Sequence, residues 1–437
     1  MKKIWMIVLL AIGMIACTQR NTPTDTTDTG DSDTPGDTGI SDDNVDDQNW
    51  SDTISIVWNG STATVSGSND SLEITNNGGY VTVNSSVTAT CIVYLLSGNG
   101  QGQLTIYGSY RHNITLDGLT LTCSDGPAIN NQCHKKCYLV INGTNTLTDG
   151  SSYASSTEDR KAAFFSEGQI IASGAGALNI KGNYKNGLCS DDYIRFTEGT
   201  GTIIITAVNK GIEANEGIYF EGGTFVINAG SEGIESDSIL IISGGELFVQ
   251  ASDDAINSGD DMTISGGVVM AYSTGNDGLD ANGNCYIKGG IVYAIGARSP
   301  EVAIDANTEE RKQLYVQGGP IVAIGGLESG ASLTQSCYSA SSVSKNTWYA
   351  LYSGSDLAFV FKTPSSLSSS TFVVSTSGTT SLKSGVTTSG GTSILNSYAL
   401  SGPTVSGGSS VTLSSYSGGN SGGPGGGGGP GGRPGGW

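Results

Sequence analysis

Asn276-Asp-Gly-Leu-Asp280 follows Asp253-Asp-Ala-Ile-Asn257, which follows Ser231-Glu-Gly-Ile-Glu235, and the three read as one unit written repeatedly. Upstream the unit recurs as Asn209-Lys-Gly-Ile-Glu213 and Lys185-Asn-Gly-Leu-Cys189, downstream as Val302-Ala303-Ile304-Asp305. Partial copies stand at Gly126-Pro-Ala-Ile-Asn130 and Lys161-Ala-Ala-Phe-Phe165. The small residue falls at 187, 211, 233, 255, 278 and 303, in steps of 24, 22, 22, 23 and 25. Each later copy runs into a short alternating strand, a glycine pair (222–223, 244–245, 266–267, 289–290, 318–319) and a second alternating strand such as Thr224-Phe-Val-Ile-Asn228. Period-two apolarity punctuated by Gly is β structure without helices. A unit too small to bury its own apolar face must stack on its neighbours.

About 22 residues with three short strands fit one coil of a parallel β-helix. Leu188, Ile212, Ile234, Ile256, Leu279 and Ile304 then form an internal ladder. The leucine consensus of leucine-rich repeats, the nine-residue spacing of calcium β-rolls and the roughly 40-residue blade of a propeller are all absent. The expected fold is all-β, a parallel β-helix over residues 51–330 with a small β cap at 331–415.

What stacks outside the ladder is acidic. Two positions after each small residue lie Cys189, Glu213, Glu235, Asn257, Asp280 and Asp305; two further on lie Asp191, Asn215, Asp237, Gly259, Asn282 and Asn307. Alternation puts both sets on one outer face. Glu232, Asp253, Asp254, Asn276 and Asp277 precede the small residue, in the turn. Residues 209–287 carry 13 acids against one base, Lys210, a local charge of −12. Coils lie about 4.8 Å apart, so bare carboxylates in one column repel by roughly 1 kcal/mol per pair even in water. A cation coordinated at about 2.3–2.6 Å spans two ligands roughly 4.7–5 Å apart, which matches the coil spacing. Oxygen-only donors favour Ca²⁺ over transition metals. The metal candidates are Glu213, Glu235, Asp237, Asp253, Asp254, Asn257, Asp277, Asp280, Asn282 and Asp305. The competing reading is that these acids splay into solvent and serve solubility.

The wider composition agrees. The net charge of −20 over 437 residues excludes nucleic acid as a partner. Only two His leave little for a zinc centre or a His-based triad. Hydrophobic residues reach 37% against 14% charged, enough for a large core. Lys2-Lys3 and the apolar run to Ile15, too short to span a bilayer, end in Met14-Ile15-Ala16-Cys17. That end resembles a bacterial lipobox, implying a signal peptide over 1–16, a lipid on Cys17 and, with Thr18 next, an outer-membrane anchor with presentation at the cell surface. Residues 17–50 hold nine Asp from Asp25 to Asp47 and read as a solvated tether. Residues 416–437 read as a disordered Gly/Pro tail. Seven further Cys permit disulfides in an exported protein but cannot all pair. Cys133 to Cys137 reads as a disulfide or buried thiols in preference to a zinc site.

The stretch from Lys161-Ala-Ala-Phe-Phe through Ile180-Lys-Gly-Asn-Tyr-Lys-Asn-Gly-Leu-Cys-Ser-Asp-Asp to Asn276-Asp-Gly-Leu-Asp-Ala-Asn-Gly resembles bacterial carbohydrate-binding domain proteins. Those form a calcium-binding right-handed β-helix related in fold to pectate lyases. The likeness runs from about residue 55 to 390, taking in Asn142-Gly-Thr-Asn-Thr-Leu-Thr-Asp149 and Val373-Val-Ser-Thr-Ser-Gly. It implies calcium-dependent, non-catalytic binding of a plant or acidic polysaccharide, cellulose or pectin-like. Its Asp/Asn positions carry over to Asp253, Asp254, Asn257, Asp277, Asp280, Asn282 and Asp305, while Cys189, Glu213 and Glu235 depart from the pattern.

Other functions stay open. A polysaccharide lyase needs a basic residue to take the uronate α-proton, and Lys185, Lys210 and Arg195 are the bases near the early ladder. A glycosidase using paired carboxylates is a third enzyme class. A calcium-rigidified adhesin or stalk needs no ligand at all. Residues 331–415, with four charged residues, contain Tyr338, Trp348, Tyr349, Tyr352 and Phe359, which either cap the helix or offer rings to sugars.

Overall fold

The computed structural model describes residues 43–45 and 48–418. The lipobox-like segment with Cys17, most of the proposed tether and all but the first residues of the Gly/Pro tail lie outside the described residues.

One copy of the repeat makes three strands, for example Ile234–Ser236, Leu240–Ile242 and Glu246–Ala251. The next makes Ile256–Ser258, Met262–Ile264 and Val268–Ser273. Every strand pairs in parallel with its counterpart one coil on: Ile234 with Ile256, Leu240 with Met262, Leu247 with Val269. The result is a parallel β-helix of about nine turns, as the repeat predicts. Among the described residues helix is confined to short 3₁₀ pieces, including Thr308–Glu310 and Leu395–Ser397.

Glycine is placed by backbone demands. The second member of each pair is left-handed, with φ of 90° at Gly223, 86° at Gly245 and 76° at Gly267, a region that side chains disfavour. The small-residue column has a different cause. A Cβ on Gly233 would lie 2.1 Å from Val249 Cγ1 and 2.5 Å from the Ala255 carbonyl oxygen. Ala255 stands in the coil where Ala271 takes the register position of Val249, so the column relaxes where its opposite number shrinks.

The predicted ladder is the core of the first face: Leu188, Ile212, Ile234, Ile256, Leu279 and Ile304 are fully buried and stacked in register. Phe196 stacks on Phe220 at 4.9 Å and Phe225 meets both edge-on. Each such side chain contributes about 1.5–3 kcal/mol by leaving water. Shortening one rung by a methyl, Ile234→Val, is expected to cost about 1 kcal/mol in equilibrium denaturation with an unchanged m-value.

The C-terminal region does more than cap. Phe372–Ser375 pairs antiparallel with Ile321–Ile324 and with Cys337–Ala340, which pairs with Leu413–Tyr416, so these strands close the end of the coil. A separate six-stranded antiparallel sheet lies against the flank. Its Tyr349, Leu351, Phe359, Phe361 and Leu382 bury against Phe248, Met270, Tyr293 and Val322, the outward residues of the third face. Tyr349 and Phe359 are thereby consumed by packing and do not serve as sugar platforms.

At the other end, Trp50–Gly60 opens the coil, paired with Cys91–Gln101. Asp43, read from sequence as part of a solvated tether, is 1% exposed, because cationic side chains on the helix flank take its carboxylate. The seven cysteines from Cys91 to Cys337 are all buried and free, small hydrophobes in the coil and no disulfide framework.

Candidate functional site

The first face brings the predicted acids together in one register. Cys189 pairs with Glu213, Glu213 with Glu235, Glu235 with Asn257 and Asn257 with Asp280. The bridges from Leu279 to Ile304 and from Ile304 to Leu327 carry the column on through Asp305 to Glu328. The second predicted column is different. The strands end at Ala214, Ser236, Ser258 and Ala281, so Asn215, Asp237 and Asn282 sit just past the strand end. Asp237 is exposed there, and Asn282 Nδ2 donates to the Ser258 carbonyl of the previous coil (3.3 Å).

The column divides into two electrostatic halves. In the early half, lysines answer the acids. Lys210 Nζ lies 2.8 Å from Glu213 Oε1 and also pairs with Glu235. Lys161 Nζ reaches Asp191 at 3.1 Å and Glu213 at 3.6 Å. Asn186 Nδ2 donates to Glu213 Oε2 (2.7 Å), and the Cys189 thiol donates to the same oxygen (3.2 Å). Burial alone would raise Glu213, but Lys161 and Lys210 outweigh it and hold the carboxyl below its usual value. Burial lifts Glu235 in spite of Lys210. Glu213 and Glu235 are thus engaged by lysines, and the structure does not gather them with the later acids.

In the late half acids face acids. Asp277, Asp280 and Asp305 each bring a carboxylate oxygen within 4.8 Å of the other two. The backbone and one amide hold them there. The Asp277 N–H donates to Asp254 Oδ1 (2.9 Å), the Val302 N–H donates to Asp277 Oδ1 (2.5 Å), and Asn257 Nδ2 donates to Asp280 Oδ2 (2.8 Å). Asp305 meets Glu328, whose Oε1 also accepts from Thr308 Oγ1 (3.1 Å). Burial, then the neighbouring carboxylates, push Asp254 up to about 8, Asp277 to about 7 and Asp305 to about 9. Such a cluster pulls protons or a cation into its midst. The donors are all oxygen, Asp277 buried and Asp280 and Asp305 half-buried, so the triad is compatible with a metal ion. Asp253 stands aside in the turn, its Oδ1 taken by Asn276 Nδ2 (2.9 Å).

Sequence reading missed two members. Gly326-Leu-Glu328 repeats Gly278-Leu-Asp280 one further step along, a signal that was present. Lys161, quoted in a partial copy, carried none, because its reach to Glu213 two coils on depends on side-chain direction.

The bases offered for lyase chemistry are occupied otherwise. Lys210 is held as a cation between Glu213 and Glu235, its pKa pushed up by them against the effect of burial. Arg195 pairs with Asp43 and Glu221. Lys185 lies over the Tyr184 ring at 5.6 Å. No helix among the described residues is long and apolar enough to cross a membrane.

No curated protein matches the chain. Among solved structures, one described as the polysaccharide lyase-like protein from C. thermocellum, gadolinium derivative, is similar at 23% identity and a TM-score of 0.43, over 55% of this chain and 96% of that one. A family profile described as carbohydrate-binding domain-containing protein matches residues 77–387, most of the coil together with the acidic column and part of the flanking sheet. On that match the chain belongs to the family of carbohydrate-binding domain-containing proteins.

Proposed function

We propose that the chain is a calcium-dependent, non-catalytic polysaccharide-binding protein, held at the outer membrane by a lipid on Cys17 and presented at the cell surface. Family membership supports the carbohydrate, and the Asp277, Asp280 and Asp305 triad is the observation that carries the calcium. Those three side chains would hold the ion, with Asn257 and the Val302 N–H fixing their orientation. When bound, calcium supplies a divalent charge that neutralises the triad and attracts the oxygens of an acidic sugar. A plant-type polyuronate suits that chemistry, since a protein of net charge −20 otherwise repels it.

Calorimetry with polygalacturonate in calcium and in chelator tests the reading. Binding in calcium that vanishes with chelator and with Asp280→Asn is the expected result. Calcium uptake with no glycan binding would mark a rigidified stalk instead. Unsaturated uronate released into solution, read by absorbance, would mark a lyase.

A further inference from the structure

A second constellation lies on a different face, away from the acidic column. Asp43 Oδ1 accepts from the Tyr193 hydroxyl (2.9 Å) and lies 3.1 Å from Lys136 Nζ, while Oδ2 lies 3.0 Å from Arg195 Nη1. Asp43 and Lys136 are both 1% exposed. Lys136 immediately precedes Cys137–Asn142, and Tyr193 and Arg195 sit at Ile194–Phe196, two coils on through Ile170–Ser173. Asp43 belongs to no repeat. It reaches the flank from the segment before Trp50, which is pinned by Trp50 Nε1 donating to the Val45 carbonyl (3.1 Å) and by the Trp50 ring edge-on to Tyr138 at 5.5 Å.

An ammonium, a guanidinium and a phenol converging on one carboxylate are the donors by which proteins recognise carboxylate ligands. Here the helix supplies all three and the chain's own N-terminal segment supplies the acid. Tyr193 and Tyr219 are half-buried, with ring centroids 6.1 Å apart. We propose that Lys136, Tyr193 and Arg195 form a carboxylate-recognition site that Asp43 occupies in cis, and for which the carboxylate of an acidic saccharide competes.

The site rests on its own geometry, and only the identity of the acid rests on the carbohydrate reading above. Asp43 is seven residues from Trp50 in the same chain, so it meets the donors as an intramolecular competitor that a monomeric uronate must displace, whereas a polyuronate presents many carboxylates at once. Binding at this site needs no metal.

The test titrates sodium galacturonate into the full chain and into Asp43→Ala, both in chelator so that the triad plays no part. The variant is expected to bind about tenfold or more tightly than the natural chain, and adding Arg195→Gln is expected to remove the gain. Equal affinity in the natural chain and the variant overturns the proposal. Should Asp43→Ala melt early, acetate and galacturonate must each restore its melting temperature saturably. Failure of both reduces the cluster to a structural brace and overturns the site, and rescue by acetate alone overturns the saccharide. Loss of calcium-dependent polygalacturonate binding in the natural chain is a separate result that bears on the triad only.

Discussion

In calcium-free buffer the folded chain is expected to lose stability as the pH rises from about 5 to about 8.5, and millimolar calcium to restore it. The cause is the late half of the column, where Asp254 titrates at about 8, Asp277 at about 7 and Asp305 at about 9. In the unfolded chain the same carboxyls ionise near 4. Below that pH both states hold the protons and the cluster carries no penalty. Above it the unfolded state gives up protons that the folded state retains, so stability falls with every pH unit until the folded values near 9 are passed. One retained proton across the window gives about 1.4 kcal/mol per pH unit, and one is taken as the count because neighbouring carboxyls that repel one another do not titrate independently. The loss is then on the order of 4–5 kcal/mol, or about 5 °C for a chain of this length.

Calcium replaces the protons, so its stabilising effect grows with pH and its uptake near neutrality releases protons. Calorimetry in two buffers of different ionisation enthalpy reads that release directly. Asp305→Asn should flatten both the pH slope and the calcium response, whereas Asp237→Asn, outside the triad, should leave the calcium response as it is. A natural chain whose melting temperature in chelator is level from pH 5 to about 8.5 would remove the electrostatic case for the metal.

The repeat was readable because one backbone path is used again and again. The inward ladder from Leu188 to Ile304 and the outward column from Cys189 to Asp305 both follow from period and alternation, which are local properties. What lies beyond the period was not so readable. The strand ends at Ser236, one residue short of Asp237, and strand length within a repeat is set by the corner of the coil, which alternation does not encode. Val268-Val-Met-Ala-Tyr272 lost its alternation altogether, which signals burial on both faces. Met270 and its neighbours in adjacent coils are covered by the C-terminal sheet, so this run marked the docking surface for residues first read as a cap. The split between Lys-answered and acid-crowded halves was the least visible. It turns on Lys161 and Lys210 reaching across coils, a matter of side-chain length and direction that spacing does not encode.

Replacing Lys161 and Lys210 together with Met is expected to cost about 3–5 kcal/mol, the range for stripping the partner from a buried charge. Glu213 is 8% exposed and is held ionised by those two lysines against its own burial. Without them it must take up a proton or stay charged in a site whose remaining donors are Asn186 and Cys189. In the natural chain Glu213 has a depressed pKa, so its contribution is present above the unfolded value near 4.3 and fades as pH falls through the folded one. In the double variant that dependence should reverse, with stability falling as the carboxyl is forced to ionise at higher pH. Adding Glu213→Gln supplies a neutral side chain of the same length that still accepts from Asn186, and should recover roughly half of the loss. Urea denaturation at pH 5 and pH 8 reads all three chains. The same variants separate a brace from a catalyst. If Lys210 were the base of a lyase, Lys210→Met would erase unsaturated product and leave the midpoint of unfolding unmoved, and Glu213→Gln would rescue nothing. A brace gives the opposite pair of results, because the lysine then acts on the acids of its own coil and on no proton of the sugar.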